Sequence, residues 1–351
     1  MNSASLEERI LETRNSLSTD RLDISFGEIM SMYERNEIII NPEFQRLFRW
    51  SLNQQTRFIE SLLLGIPIPP IFVAEDKDGR WELVDGLQRL STVFSFFGLL
   101  YGEENRDKNN WSLLQGDLVK ELEGFDIKNL PIKFLLNIKR ASCRVEIIKW
   151  NSKIDMRYEL FNRLNTGGSP LSDQEIRNCI FRGISSEFND FLKRTSNNPQ
   201  FLDLISFTER QLLMLYNEEL VLRFVALYNG EITKDLLSDH LTYYMKEVIE
   251  ANSFDYEIEG IFMRLVQLLN PLGKQIFRFD NGTLSTSLYD AIFIGVGRNL
   301  VYYESHLQEL KRKIEILSQD ESFRKYTGSA ANNKSRVRNR LDIAFKIFEV
   351  I

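Results

Sequence analysis

Proline is spread unevenly along this chain, and that limits what each half can form. Five of the eight prolines precede residue 135: Pro42, Pro67, Pro69, Pro70 and Pro131. The last 180 residues hold only Pro199 and Pro271. Proline fixes φ and lacks an N–H, so it punctuates strands and loops and is kept out of helix interiors. The first half is therefore expected to be mixed α/β and the second mostly helical. A chain of 351 residues is long enough for two domains. The expected class is α+β, with one domain over residues 20–180 and a helical one over 181–351.

Hydrophobic patterning fills in the elements. Glu37–Ile40 is a short β-branched run stopped by Asn41-Pro42. Asn53 is expected to cap a helix that runs to Leu64 and stops at Gly65. Gly65 to Pro70 then reads as a rigid, extended entry to a strand. Ile71–Ala74 and Trp81–Val84 read as strands joined by Asp76-Lys77-Asp78-Gly79, a hairpin-type turn. Leu90, Val93, Phe94, Phe97 and Leu100 form the stripe of a helix from Leu87 to Leu100. Residues 103–130 look like an insertion with short helices. Ser142–Lys149 alternates Cys143, Val145 and Ile147 against Arg144, Glu146 and Ile148, a strand pattern. Asp155–Leu164 is a predicted helix, and Ser172 with Glu175 makes a capping box for the next. Long helices are predicted at Glu209–Tyr228, Thr233–Glu250, Glu257–Leu269, Leu288–Leu317 and Arg336–Ile351.

Composition removes several chemistries. Cys143 and Cys179 are the only cysteines, too few for a disulfide framework or a cysteine-rich zinc site. His240 and His306 are the only histidines and lie far apart, which argues against an HNH nuclease or a HExxH protease. There is no Walker A loop. Gly295 and Gly297 begin a GxG, but Leu300 replaces the third glycine. The first twenty residues are polar and charged, unlike a signal peptide. The longest apolar run, Val93–Tyr101, is about half a membrane span. A soluble, cytoplasmic protein is expected, with no membrane partner. Any chemistry falls to Asp, Glu, Arg, Gln and backbone groups.

Three stretches can carry such chemistry. Asp85-Gly86-Leu87-Gln88-Arg89 sits where a strand ends and a helix begins. Gly86 permits the sharp turn, and the helix start offers free N–H groups to an anion. Arg89 adds a charged fork suited to phosphate, and Asp85 a ligand for Mg²⁺ or a base for water. The competing reading makes Asp85 a plain N-cap and Arg89 a surface residue. Arginine in a first turn opposes the helix dipole, which favours the anion reading. Residues 41–50 interleave Phe44, Phe48 and Trp50 with Gln45, Arg46 and Arg49, as stacking and phosphate-gripping segments do, and as core anchors also do. Phe161 to Leu171 carries Arg163, Asn165, Thr166, Gly167 and Gly168. It is either a phosphate-cradling loop or a helix cap.

The order FQRLFRW, IESLLLGIPIPP, DGLQR, FNRLNTGGSPLSDQEIRN resembles the N-terminal domain of GmrSD-type, modification-dependent restriction enzymes. The resemblance covers Phe26 to Asn178. It implies a ParB/sulfiredoxin-like N-terminal α/β domain followed by a mostly α-helical C-terminal domain. It also implies NTP binding and hydrolysis with Mg²⁺ in antiphage defence, with Asp85, Gln88 and Arg89 as catalytic residues. Gln45, Arg46, Gly86, Arg163, Asn165, Thr166, Gly167 and Gly168 would then contact the nucleotide. The family motif is Asp-Gly-Gln-Gln-Arg, so Leu87 departs from it at the first Gln. Many members also carry a C-terminal HNH nuclease, which the two histidines here do not support. A separate nuclease subunit is thus one candidate partner, and the sequence leaves open whether the chain forms a homo-oligomer. The net charge of −6 limits DNA contact to local basic stretches. One is Asn137–Arg163, with seven basic and three acidic residues. The other is Ala331–Ile351, with five and two. The alternative is a non-catalytic module that senses nucleotide or DNA and recruits the nuclease.

Overall fold

The computed structural model describes residues 3–40, 48, 50–150, 152, 156, 158–160, 163, 171–182, 184–252, 254–280 and 282–350. The chain folds as two compact units, Met1–Pro170 and Leu171–Ile351. The first holds the strands and the second is helical, so the α+β class stands as expected.

The first unit is built on a five-stranded mixed sheet of order β1-β5-β3-β4-β2. Its strands are β1 (Thr19–Ser25), β2 (Ile38–Ile39), β3 (Ile71–Glu75), β4 (Trp81–Asp85) and β5 (Ser142–Ile148). β3 pairs antiparallel with β4 and parallel with β5, and β2 runs parallel to β4. The expected hairpin is present. Asp76 Oδ1 accepts from the N–H groups of Asp78 and Arg80 at 2.9 Å each, and Gly79 takes φ 81°. Cys143, Val145 and Ile147 are buried on one face of β5, as the alternation requires.

Helices of this unit include α1 (Ser3–Asn15), α2 (Phe26–Glu34), α3 (Leu52–Leu64), α4 (Leu87–Phe96) and α5 (Ile132–Arg140). α2 packs on α5, and α3 packs on α4 and α5. Phe26, Ile29, Phe58, Ile59, Leu90, Val93 and Phe94 are buried with the sheet side chains. Two sequence expectations shift here. Ser51, not Asn53, caps α3, through a capping box with Gln54. The helix after Asp85 ends at Phe96 rather than Leu100, because Gly98 turns left-handed at φ 75°. α3 does end at Gly65, in the left-handed region at φ 69°. The 103–130 insertion carries two 3₁₀ turns. It is pinned to α3 by the buried Glu60, whose carboxylate accepts the N–H groups of Asp117, Leu118 and Val119 at 2.7–3.1 Å.

The second unit opens with α6 (Asp173–Arg182). The predicted capping box forms: Ser172 Oγ accepts Glu175 N–H at 3.2 Å, and Glu175 Oε2 accepts Ser172 N–H at 2.6 Å. α7 (Ser186–Ser196), α8 (Pro199–Ile205), α9 (Glu209–Leu213), α10 (Tyr216–Asn229), α11 (Leu237–Ala251) and α12 (Glu257–Leu269) follow. α13 (Thr286–Gly297), α14 (Leu300–Tyr303), α15 (Leu307–Gln319), α16 (Glu321–Arg324) and α17 (Lys334–Phe348) complete it. The single helix expected over Glu209–Tyr228 is broken by Leu215 at φ 54°. The one expected over Leu288–Leu317 is three helices. Phe201, Phe224, Phe262, Phe277, Tyr289 and Phe293 form a buried aromatic core. Among them lies a charged group. Asp290 accepts from Arg223 at 3.0 and 2.6 Å and from Arg340 at 2.7 Å.

Candidate functional site

The Asp85 turn is built by backbone geometry. β4 ends at Asp85 and α4 begins at Leu87, with Gly86 between them at φ 106°. Glycine alone enters that region without strain. A Cβ here would also lie 2.4 Å from Cγ2 of Ile71, so the turn is pressed onto the start of β3. Gly86 has no side chain to cap α4. The N–H groups of the first helical turn therefore keep their affinity for an anion.

Arg89 does not stand free on the surface. Its side chain is only 14% exposed. Nη2 donates to Asp85 Oδ2 at 2.8 Å and to the Pro70 carbonyl at 3.1 Å. Nε is buried and has no partner among the described residues. Asp85 is 40% exposed, and among the described residues only its Oδ2 is engaged. Among the described residues, one carboxylate oxygen is thus locked and the other has no partner. The Gly65–Pro70 segment, read from sequence as structural, supplies the carbonyl that fixes Arg89.

Gln88 faces a different neighbour. Its Oε1 accepts the backbone N–H of Trp50 at 3.0 Å. The Trp50 carbonyl accepts from Nε2 of the buried Gln55 at 2.8 Å. The Trp50 ring packs edge-on to Phe58 at 5.6 Å. The backbone of Trp50 is therefore held on both sides of its Cα by glutamine side-chain amides. This ties the end of the aromatic-arginine stretch to the Asp85 turn. Sequence reasoning missed Gln55, because nothing in a helical glutamine marks it as a clamp.

Arg163 is helical and 74% exposed, and its Nε donates to Glu159 Oε1 at 2.7 Å. Gln45, Arg46, Asn165, Thr166, Gly167 and Gly168 lie outside the described residues. In the basic Ala331–Ile351 stretch, Arg340 points inward to Asp290, while Arg338 pairs with Glu231 at 2.9 Å. That stretch is accordingly less basic at its surface than its sequence suggests. Cys143 is buried on β5. Burial pushes its thiol up to about 11, against the pull of Arg89, so it stays protonated at neutral pH. His240 is buried with Nδ1 3.3 Å from Thr233 Oγ1, and His306 stacks on Tyr302 at 3.9 Å.

Residues 26–182 match the family model described as GmrSD restriction endonuclease, N-terminal domain. This region is a GmrSD-type N-terminal domain. The family is described as one of restriction endonucleases. No curated protein matches the chain. The GmrSD-type match starts at the first residue of α2 and ends at the last residue of α6. It therefore includes the Asp85 turn, the Trp50 clamp and the helix capped by Ser172. Among the described residues, no helix is long and apolar enough to cross a membrane.

Proposed function

We propose that this chain is the nucleotide-using component of a modification-dependent restriction system. It binds a nucleoside triphosphate with Mg²⁺ at the Asp85 turn and hydrolyses it. One observation carries the reading. Asp85 presents one carboxylate oxygen that has no partner among the described residues, beside a helix N-terminus without a side-chain cap, while Arg89 holds the other oxygen.

The donor set fits a magnesium–phosphate group. No cluster of three His, Cys, Asp or Glu side chains able to hold a metal occurs among the described residues. Mg²⁺ does not need one: it is commonly held by one or two carboxylates together with substrate phosphates and water. Asp85 would serve as that carboxylate. The N–H groups of the first turn of α4 would meet phosphate oxygens. Arg89, whose Nε lacks a partner among the described residues, orients Asp85 and adds positive charge behind it. Gln45, Arg46, Arg163, Asn165, Thr166, Gly167 and Gly168 complete the phosphate contacts in this reading. Phosphoryl transfer needs mainly positioning and charge neutralisation, and this set supplies both.

A second reading has its own support. Leu87 has no amide to orient water, and Gln88 Oε1 is committed to Trp50. A site that binds nucleotide without turnover, and recruits a separate nuclease, matches that arrangement. Phosphate release with each of the common NTPs, with and without DNA, tests the first reading against Asp85→Asn. Turnover that the variant loses supports hydrolysis. Calorimetric binding without turnover supports the sensor. Neither binding nor turnover overturns both.

A further inference from the structure

The first helix lacks a partner among the described residues. From Leu6 to Asn15, every residue of α1 is exposed. Its apolar side chains Leu6, Ile10 and Leu11 are 63%, 56% and 49% exposed. An isolated helix shorter than roughly 12–15 residues is marginal in water, because its ends and nucleation offset what its hydrogen bonds gain. α1 has 13 residues, so helical propensity alone does not hold it.

The sequence of α1 is complementary to itself. Glu7, Ile10, Leu11 and Arg14 fall at i, i+3, i+4 and i+7, which is one face of a helix. Glu7 lies three residues before Ile10, and Arg14 three residues after Leu11. A second helix laid antiparallel about the Ile10–Leu11 midpoint sets Ile10 on Leu11 of the second copy. It also sets Glu7 on Arg14 of the second copy, and a twofold axis makes every contact occur twice. Glu7 and Arg14 have no ion-pair partner among the described residues. The other charged pair, Arg9 with Glu12 at 2.8 Å, lies off this face.

We propose that α1 is a homodimerisation helix, which pairs antiparallel with α1 of a second copy through Glu7, Ile10, Leu11 and Arg14. The contact is small, so the dimer forms in a concentration-dependent way. Sedimentation velocity on the full chain, over a concentration series, tests this. The wild type should pass from one-chain to two-chain mass as concentration rises. Ile10→Asp with Leu11→Asp should stay at one-chain mass. Glu7→Arg alone, or Arg14→Glu alone, sets like charges against each other at both ends. Each should weaken the dimer by about tenfold. The double reversal restores opposite charges and should recover the wild-type dissociation constant. All four positions are exposed, and circular dichroism checks that each variant stays folded. A wild type that remains at one-chain mass throughout overturns the proposal. A double reversal no tighter than the single ones also overturns it.

Discussion

Arg89 and Asp85 are joined by a single short contact, Nη2 to Oδ2 at 2.8 Å, and the same Nη2 reaches the Pro70 carbonyl at 3.1 Å. The arginine of the motif is thus a brace between β4, α4 and the chain entering β3. Removing its carboxylate leaves a mostly buried guanidinium short of an acceptor. Asp85→Ala should therefore destabilise the chain by about 1–3 kcal/mol, the cost of an unsatisfied buried polar group. Asp85→Asn keeps an acceptor oxygen in place and should cost less. Urea unfolding of the three proteins checks this. Equal stability of Asp85→Ala and wild type would show that the contact is not formed in solution. The order matters for function too, because only Asp85→Asn can then separate lost chemistry from lost structure.

The tie between Gln88 and Trp50 makes a local prediction. Trp50 N–H donates to Gln88 Oε1, and Gln55 holds the carbonyl of the same residue. Gln88→Ala should remove the acceptor and leave Gln55 in place. Hydrogen exchange at the Trp50 amide should then speed by about tenfold, the loss of one modest hydrogen bond. Gln55→Ala should affect that amide less, since it removes the partner of the carbonyl instead. Unchanged exchange in Gln88→Ala would assign Gln88 a role away from Trp50.

What could be read from the sequence was what local rules govern. Ser172 with Glu175, Gly65, and Asp76 to Gly79 each announce a cap or turn through neighbours a few positions away, and each is found. β1 was not legible. Its residues Thr19–Asp23 are all exposed at the sheet edge, so no apolar alternation marks them. The break at Leu215 was hidden as well, because an apolar residue at φ 54° follows no local rule. The site divides along the same line. The Asp85–Gly86 turn was visible in the motif. The Pro70 and Trp50 contacts, 19 and 38 positions from their partners, depend on which strands and helices meet.

Gly86 tests whether the turn tolerates any side chain. Its φ of 106° is strained for an L-residue, and a Cβ would stand 2.4 Å from Ile71 Cγ2. Gly86→Ala should cost more than about 1 kcal/mol, since the added methyl meets both strain and a clash. Ile71→Ala in the same chain should recover part of the clash and none of the strain. A double-mutant cycle in urea measures that coupling. No coupling between the two positions would mean that the turn moves away from β3.

Asp290 gives the pH prediction. Burial alone would push its carboxyl up, but the charges and hydrogen bonds of Arg223 and Arg340 outweigh it and hold the carboxyl below the ordinary value of 3.8. A depressed folded value means that the ionised form stabilises the fold above the unfolded value. That contribution is lost as pH falls through the folded value. Asp290→Asn leaves two buried guanidinium groups without their carboxylate and should cost about 3–5 kcal/mol at neutral pH. The gap between wild type and variant should narrow once pH drops below 3.8. Urea midpoints measured from neutral to strongly acid pH follow this gap. A gap that stays constant with pH would show that Asp290 is not ionised in the folded protein.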